Sequence, residues 1–232
     1  MLTIYIAQID SIWTPSRLHD ELSLLPPLLS AKIAKYKNPK DQQTRILAKL
    51  MLQQLLIHLQ LPLTLLDLLY TQSHKPYFNH HGFDFSTAHS GDIVLCGGLL
   101  DTKNTILDSP TTGNRQQATL SLGIDLEFLD TIDLNLYQDY LTRPEWLFIH
   151  QCEHPQQVFY SIWTRKEALA KATGAGADMV FRQVEILDDT IDYHGNTYYA
   201  ENLNIGADYM GAVVSNKKLE INILDFVKPP HF

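Results

Sequence analysis

This sequence of 232 residues has only two cysteines, no glycine-rich phosphate-binding motif and fewer basic than acidic residues. The two cysteines, Cys96 and Cys152, lie far apart and outside any Cys-x-x-Cys or Cys/His spacing. This argues against a disulfide scaffold or a zinc site and fits a reduced, cytoplasmic chain. Neither GxxxxGK[ST] nor GxGxxG occurs, so phosphates would not be held by a P-loop or a Rossmann turn.

The charge balance and the amino-terminal sequence bear on which partners the protein can have. The 18 Lys and Arg residues against 26 Asp and Glu residues give a formal net charge of -8, so we expect no nucleic-acid partner. A local basic cluster is still compatible with one phosphorylated ligand. The opening MLTIYIAQIDSIW lacks a basic start and reaches Asp10 before an apolar run could span a bilayer, so we predict neither a signal peptide nor membrane association.

The order of predicted elements divides the chain into two similar halves. Alternating apolar residues predict a strand over 2–9, and a helical stripe follows over 30–61. The stretch FDFSTAHSGDIVLCGGLL at 83–100 predicts two strands joined by a His-Ser-Gly turn. Residues 101–118, rich in Asp, Thr, Ser, Pro and Gly, are typical of a linker.

The second half repeats this plan. After a strand at 120–128 and a helix at 156–173 come further strand candidates at 180–187, 197–203, 209–214 and 219–225. We predict an α+β fold of two similar α/β subdomains, with residues 1–108, a linker 109–118, and residues 119–232. Since two such halves could form a cleft within one chain, we expect a monomer.

Two acids share one face of the strand at 120–128. Because alternate side chains of a strand point the same way, Asp125 and Glu127 lie together, and Gly123 leaves room beside them. Their Cα atoms would lie roughly 7 Å apart, so both carboxylates could converge on one cation. A lone D-x-E pair more often decorates the solvent face of a half-buried strand, so a second signal is needed.

That signal is a polar edge on the helix at 156–173. Trp163, Glu167 and Lys171 follow at i, i+4 and i+8 and therefore form one stripe. An ordinary surface pair, stabilising the helix by about 0.2–0.5 kcal/mol, is the simpler interpretation. Three carboxylates and a lysine also suit Mg²⁺ with a phosphate, because Mg²⁺ takes hard oxygen ligands and an ammonium neutralises a phosphoryl oxygen.

Basic residues in the first half could complete such a site. Arg45 and Lys49 are four positions apart on the helix at 30–61. A solvated basic face would explain them, but charge-assisted hydrogen bonds from local cations are also what a multi-phosphate ligand requires. The turns that contain Lys75 and His89 could point donors into the same cleft, although a structural role is open for both.

Four segments together resemble the 4′-phosphopantetheinyl transferase superfamily, in its longer pseudodimeric form that acts on carrier domains of peptide and polyketide synthases. They are KPYFN at 75–79, FSTAHSG at 85–91, GIDLE at 123–127 and FYSIWTRKEALAKATGAG at 159–176. The resemblance spans most of the chain. It implies two α/β subdomains related by a pseudo-twofold axis, with coenzyme A and Mg²⁺ (or Mn²⁺) in the cleft between them.

The resemblance also implies a reaction. A serine hydroxyl of an acyl or peptidyl carrier domain would attack the β-phosphate of coenzyme A, and 3′,5′-adenosine bisphosphate would leave. Glu167, directly or through a water, is the candidate base for the serine proton, with a metal-bound water as the alternative because a metal-bound carboxylate is a poor base, and Lys171 would stabilise phosphoryl charge. The implied ligand set is Asp125, Glu127 and Glu167 for the metal, Lys171 and His89 for the coenzyme phosphates, and Arg45, Lys75 and Ser90 for the 3′-phosphate and adenine end.

Some positions depart from the family pattern. Ala88 replaces a usual serine, and Gln42 and Gln53 stand where basic residues are expected, so Lys40 or Lys49 could supply coenzyme contacts instead. The apolar stretch 133–153 is a candidate docking surface for the carrier. Two alternatives stay open: a metal-dependent phosphodiesterase that releases phosphopantetheine to water, and a carrier-binding protein without activity.

Overall fold

The computed structural model of the protein describes residues 1–101, 120–176 and 180–228. Its first half contains β1 (Leu2–Gln8), α1 (Pro15–Ser23), α2 (Pro27–Ile33), α3 (Pro39–His58), β2 (Leu69–Tyr70), β3 (Pro76–Tyr77), β4 (Phe83–Ser90) and β5 (Ile93–Leu100). Its second half contains β6 (Leu122–Phe128), α4 (Arg143–Gln151), α5 (Pro155–Thr173), β7 (Thr190–Tyr193), β8 (Asn196–Leu203), β9 (Tyr209–Ser215) and β10 (Ile221–Asp225). Mixed helix and sheet confirm the α+β class, while the predicted linker 109–118 lies outside the described residues.

Two sheets form the frame, with strand orders β10-β1-β5-β4 and β6-β9-β8-β7. In both, a first strand, a long helix and an antiparallel hairpin follow one another along the chain, and the first strand pairs with the second hairpin strand. The last strand, β10, pairs in parallel with β1 and so lies in the sheet of the first half. The pseudo-twofold axis and the subdomain boundaries stay predictions.

The helical pattern predicted over 30–61 forms two helices, α2 and α3. Pro39 opens α3, and the side chain of Asn38 accepts a hydrogen bond from Lys40 N at 2.9 Å, which caps its first turn. Apolar residues of α3 then pack on the first sheet, with Ile46, Leu50 and Met51 all 0% exposed. Among the described helices none is both long and apolar enough to cross a bilayer.

The strand predicted at 180–187 was wrong. Residues 180 and 181 are helical and the backbone that follows is irregular, although Val184 and Ile186 are buried. A buried ion pair replaces the missing strand partners, because Lys166 Nζ donates to Val184 O at 2.5 Å and Glu145 Oε1 accepts from Ile186 N at 2.8 Å. Apolar alternation alone could not reveal these side-chain partners.

The two halves meet where β4 lies beside β6. Three backbone N–H groups of β6 donate to side chains of β4: Leu122 N to Asp84 Oδ2 at 2.8 Å, Ile124 N to Ser86 Oγ at 2.9 Å, and Phe128 N to Ser90 Oγ at 2.9 Å. Helix α5 covers β6 closely. A Cβ at Gly123 would lie 1.8 Å from Ala168 O, so this position requires glycine.

Candidate active site

Helix α5 and strand β6 bring Asp125 and Lys171 into contact. Asp125 is 6% exposed, and its Oδ1 accepts a hydrogen bond from Lys171 Nζ at 2.7 Å. The other oxygen, Oδ2, is buried and has no hydrogen-bond partner. Burial raises the pKa of Asp125, and the charge of Lys171 opposes that rise. The alternative that Asp125 merely lies on a solvent-exposed face therefore does not hold.

Glu127 and Glu167 share the electrostatic environment of Asp125. Burial, reinforced by the charge of Asp125, raises the pKa of Glu127 to about 7. Burial and the same neighbour raise the pKa of Glu167. The Ser90 hydroxyl donates to Glu127 Oε2 at 3.1 Å, which places Ser90 against the acidic group. The three carboxylates therefore disfavour one another's charged forms, a cost that a nearby cation relieves.

The donor chemistry of these acids fits a hard divalent cation, because Asp125 Oδ2 is an orphaned carboxylate oxygen among other carboxylates. The side chains are not already arranged around a metal position. Within residues 1–101, 120–176 and 180–228, no group of three or more His, Cys, Asp or Glu side chains could hold a metal ion as it stands. Asp125, Glu127 and Glu167 are thus candidate ligands, one of which is paired with Lys171.

The electrostatic environment of His89 includes cations from both halves. Burial lowers the pKa of His89, and the charges of Arg45 and Lys171 act in the same direction, so the imidazole lies within electrostatic reach of both. Arg45 stacks over Tyr36, with the guanidinium carbon 3.9 Å from the ring centroid. Its Nε is buried without a hydrogen-bond partner. Burial also lowers the pKa of Lys49.

Sequence reasoning missed Tyr36 and the structural contact that Gln42 makes with it. The Gln42 amide donates to Tyr36 O at 2.6 Å and so fixes the turn that carries the ring beneath Arg45. The glutamine that departs from the family pattern therefore has a structural role. Lys40, considered as a further coenzyme contact, instead pairs with Asp92 at 2.7 Å.

A cavity of about 280 Å³ lies between α5 and the first half. Its walls include Lys75, Ser86, Thr87, Glu167, Lys171 and Gly174. The ammonium of Lys75 contacts three protein oxygens. It donates to Asp84 Oδ2 at 2.9 Å, Ala172 O at 3.1 Å and Leu122 O at 3.5 Å.

In this α+β fold, candidate acidic ligands and basic side chains therefore lie close to one cavity, whose walls include Glu167 and Lys171. The family model of the 4′-phosphopantetheinyl transferase superfamily matches residues 121–210 of the chain. The predicted family and the predicted class of enzyme are thereby confirmed.

Known relatives agree with this assignment. A Haemophilus influenzae protein, assigned as a candidate 4′-phosphopantetheinyl transferase, is 27% identical over 100% of this chain and 91% of its own length. The 4′-phosphopantetheinyl transferases gsp of Aneurinibacillus migulanus and psf-1 of Bacillus pumilus are 26% and 31% identical over 61% and 40% of the chain. Those alignments span 53% and 33% of the two relatives.

Among solved structures, holo-[acyl-carrier-protein] synthase of Thermotoga maritima matches 41% of this chain and 61% of its own, with 16% identity and a TM-score of 0.33.

Proposed function

We propose that this protein transfers 4′-phosphopantetheine from coenzyme A to a serine hydroxyl of an acyl or peptidyl carrier domain, in a Mg²⁺-dependent reaction that releases 3′,5′-adenosine bisphosphate. The observation that carries the proposal is the meeting of Asp125 and Lys171 with Glu127 and Glu167. The family match and the similarity to two 4′-phosphopantetheinyl transferases support the same chemistry.

Each side chain then has a stated task. Asp125, Glu127 and Glu167 would hold Mg²⁺ or Mn²⁺, which when bound supplies positive charge at the phosphoryl oxygens. The side chain of Lys171 is 33% exposed and lines the cavity, so its ammonium can bind a phosphoryl oxygen and stabilise developing charge. Glu167 takes the serine proton, directly or through a water.

The phosphates of the coenzyme are assigned to the basic side of the site. His89, whose pKa is lowered by burial and by the charges of Arg45 and Lys171, is assigned to the coenzyme phosphates. Arg45 has no ion-pair partner within the described chain, and Tyr36 holds its guanidinium plane in place. It is our candidate for the 3′-phosphate.

The first experiment is intact-protein mass spectrometry of several apo carrier domains incubated with coenzyme A, Mg²⁺ and this protein. A mass gain of one phosphopantetheinyl group, lost in Asp125→Ala and Glu167→Ala, is the expected result. Release of phosphopantetheine without a carrier would favour the phosphodiesterase. Coenzyme binding without any transfer would favour a carrier-binding protein that lacks activity.

The carrier is proposed to dock on part of the stretch 133–153. Leu147 and Phe148 of α4 are 49% and 47% exposed, and Arg143 and Arg182 border a groove beside them. An apolar patch with a basic rim suits an acidic carrier surface. Leu147→Asp should raise the carrier KM and leave the coenzyme A KM unchanged. Leu28→Asp, at an 87% exposed leucine on α2, is the matched control.

An unchanged carrier KM in Leu147→Asp, or an equal rise in Leu28→Asp, would remove this surface from the proposal.

A further inference from the structure

We propose that Lys75 holds the two halves together beside the coenzyme cavity and does not bind a phosphate, because its ammonium is paired with Asp84. We call the Lys75–Asp84 pair, with its contacts to the second half, the clasp. Both residues would then be positioning residues for the transfer. The inference rests on the proposed function, because it concerns the same cavity. It assigns Lys75 a different role from the one that the family resemblance implies.

Asp84 is a buried carboxylate with every oxygen in use. The residue is 8% exposed and belongs to β4. Its Oδ1 accepts from Phe85 N at 2.9 Å, and its Oδ2 accepts from Leu122 N at 2.8 Å and from Lys75 Nζ at 2.9 Å. Since Leu122 opens β6, this one side chain joins both halves. Removal of Lys75 would leave it buried without its counter-charge, which is strongly unfavourable.

Lys75 likewise donates to protein oxygens. Lys171 also has three such acceptors, Asp125 Oδ1, Ile124 O and Thr87 O, but its side chain is 33% exposed and that of Lys75 only 18%. An ammonium has three N–H donors and no acceptor. In Lys75 they reach Asp84 Oδ2, Ala172 O and Leu122 O, and only 18% of the side chain is exposed. A phosphate would have to displace at least one of these protein oxygens.

The clasp lies next to the proposed reactive side chains and can therefore affect the reaction. Lys75 lines the same cavity as Glu167 and Lys171, and Ala172 lies in the last turn of α5 directly after Lys171. The Ser121 hydroxyl donates to Ala172 O at 2.6 Å, so β6 anchors that carbonyl as well. By holding the segment before β4 against the end of α5, the clasp sets the width of the cavity.

Lys75→Met, Asp84→Asn and the double variant test this inference. We expect each single variant to lower Tm by about 5–10 °C. The double variant should lose little more than either single one, because the two side chains stabilise the fold as a unit. Each should raise KM for coenzyme A and for 3′-dephospho-coenzyme A by the same factor. Arg45→Met is the comparison, since it should raise KM for coenzyme A alone.

The opposite role gives an opposite pattern. If Lys75 bound the 3′-phosphate, Asp84→Asn would free its ammonium and leave or lower KM for coenzyme A, while Lys75→Met would raise that KM alone. This outcome would overturn the clasp. Lys75→Arg can keep the ion pair and should retain the wild-type KM ratio, which provides the comparison if Lys75→Met does not fold. Absence of transfer by the wild type would refute the proposed function, whereas the Tm coupling and calorimetric binding of both coenzymes would still test the clasp.

Discussion

Two lysine–aspartate pairs lie at the interface between the halves, Lys75 with Asp84 in the first half and Lys171 with Asp125 in the second, at similar distances of 2.9 Å and 2.7 Å. Their surroundings differ. Both oxygens of Asp84 accept hydrogen bonds, whereas Asp125 keeps one buried oxygen without a partner. Folded proteins satisfy nearly all buried polar groups, and exceptions concentrate at functional sites. The comparison therefore assigns structure to the first pair and chemistry to the second.

The largest effect is expected from Asp125→Ala. Loss of this carboxylate should lower kcat by about 10²–10³-fold or more, because Asp125 is a proposed metal ligand and the partner of Lys171. It should cost less stability than the loss of Asp84, since only one oxygen of Asp125 has a partner and the remaining Lys171 side chain is 33% exposed to water. Transfer rates from intact mass spectra and thermal melts by circular dichroism measure the two effects.

Asp84→Asn is the matched variant, because it changes the other aspartate of the comparison and should reverse this pattern, with a large loss of Tm and a smaller loss of rate. Equal losses of Tm in the two aspartate variants would contradict the assignment.

A third pair tests the same principle farther from the cavity. Lys166 and Glu145 are both 0% exposed and lie 3.0 Å apart, and Lys166 also donates to Phe181 O at 2.8 Å. Lys166→Met leaves Glu145 buried without its counter-charge, so we expect about 3–5 kcal/mol lower free energy of unfolding. Urea melts measure this.

A double variant that also changes Glu145→Gln should recover part of the loss. No recovery would mean that Lys166 stabilises the fold through its carbonyl contacts and not through the pair. The rate per folded molecule is the second measurement, because Lys166 is adjacent to Glu167 on α5.

The parts of the site that could be predicted from sequence are those set by local periodicity. The two-residue period of a strand correctly predicted that Asp125 and Glu127 are neighbours, and the helical period predicted the same for Glu167 and Lys171. The contact of Asp125 with Lys171 depends instead on how closely α5 packs on β6 at Gly123. Such packing depends on residues far apart in the chain and cannot be read from local patterns in a single sequence.

The clasp was not predictable for a related reason. Asp84 is followed at two-residue intervals by apolar and small residues, so its position suggests an ordinary strand acid. Its partners are the ammonium of Lys75 and the backbone of β6, which is 38 residues away at Leu122. The other two acceptors of the lysine are backbone carbonyl oxygens, which every residue type has, so no sequence pattern predicts them.

The smallest effect is expected at Ser90. Its hydroxyl has hydrogen-bond partners, as Asp84 does, but one of these partners is the proposed metal ligand Glu127. Its hydroxyl donates to Glu127 Oε2 at 3.1 Å and accepts from Phe128 N at 2.9 Å. Ser90→Ala should raise the Mg²⁺ concentration for half-maximal rate about fivefold, since one hydrogen bond contributes about 1 kcal/mol. The coenzyme A KM should not change.

Ser90→Thr keeps the hydroxyl and is the control for this variant. The family resemblance implies the reverse result for Ser90→Ala, a raised coenzyme A KM at an unchanged Mg²⁺ requirement, because it places Ser90 at the adenine end of the coenzyme. The two titrations therefore decide whether this serine orients a candidate metal ligand or contacts the coenzyme, and the second outcome would move Ser90 out of the acidic group.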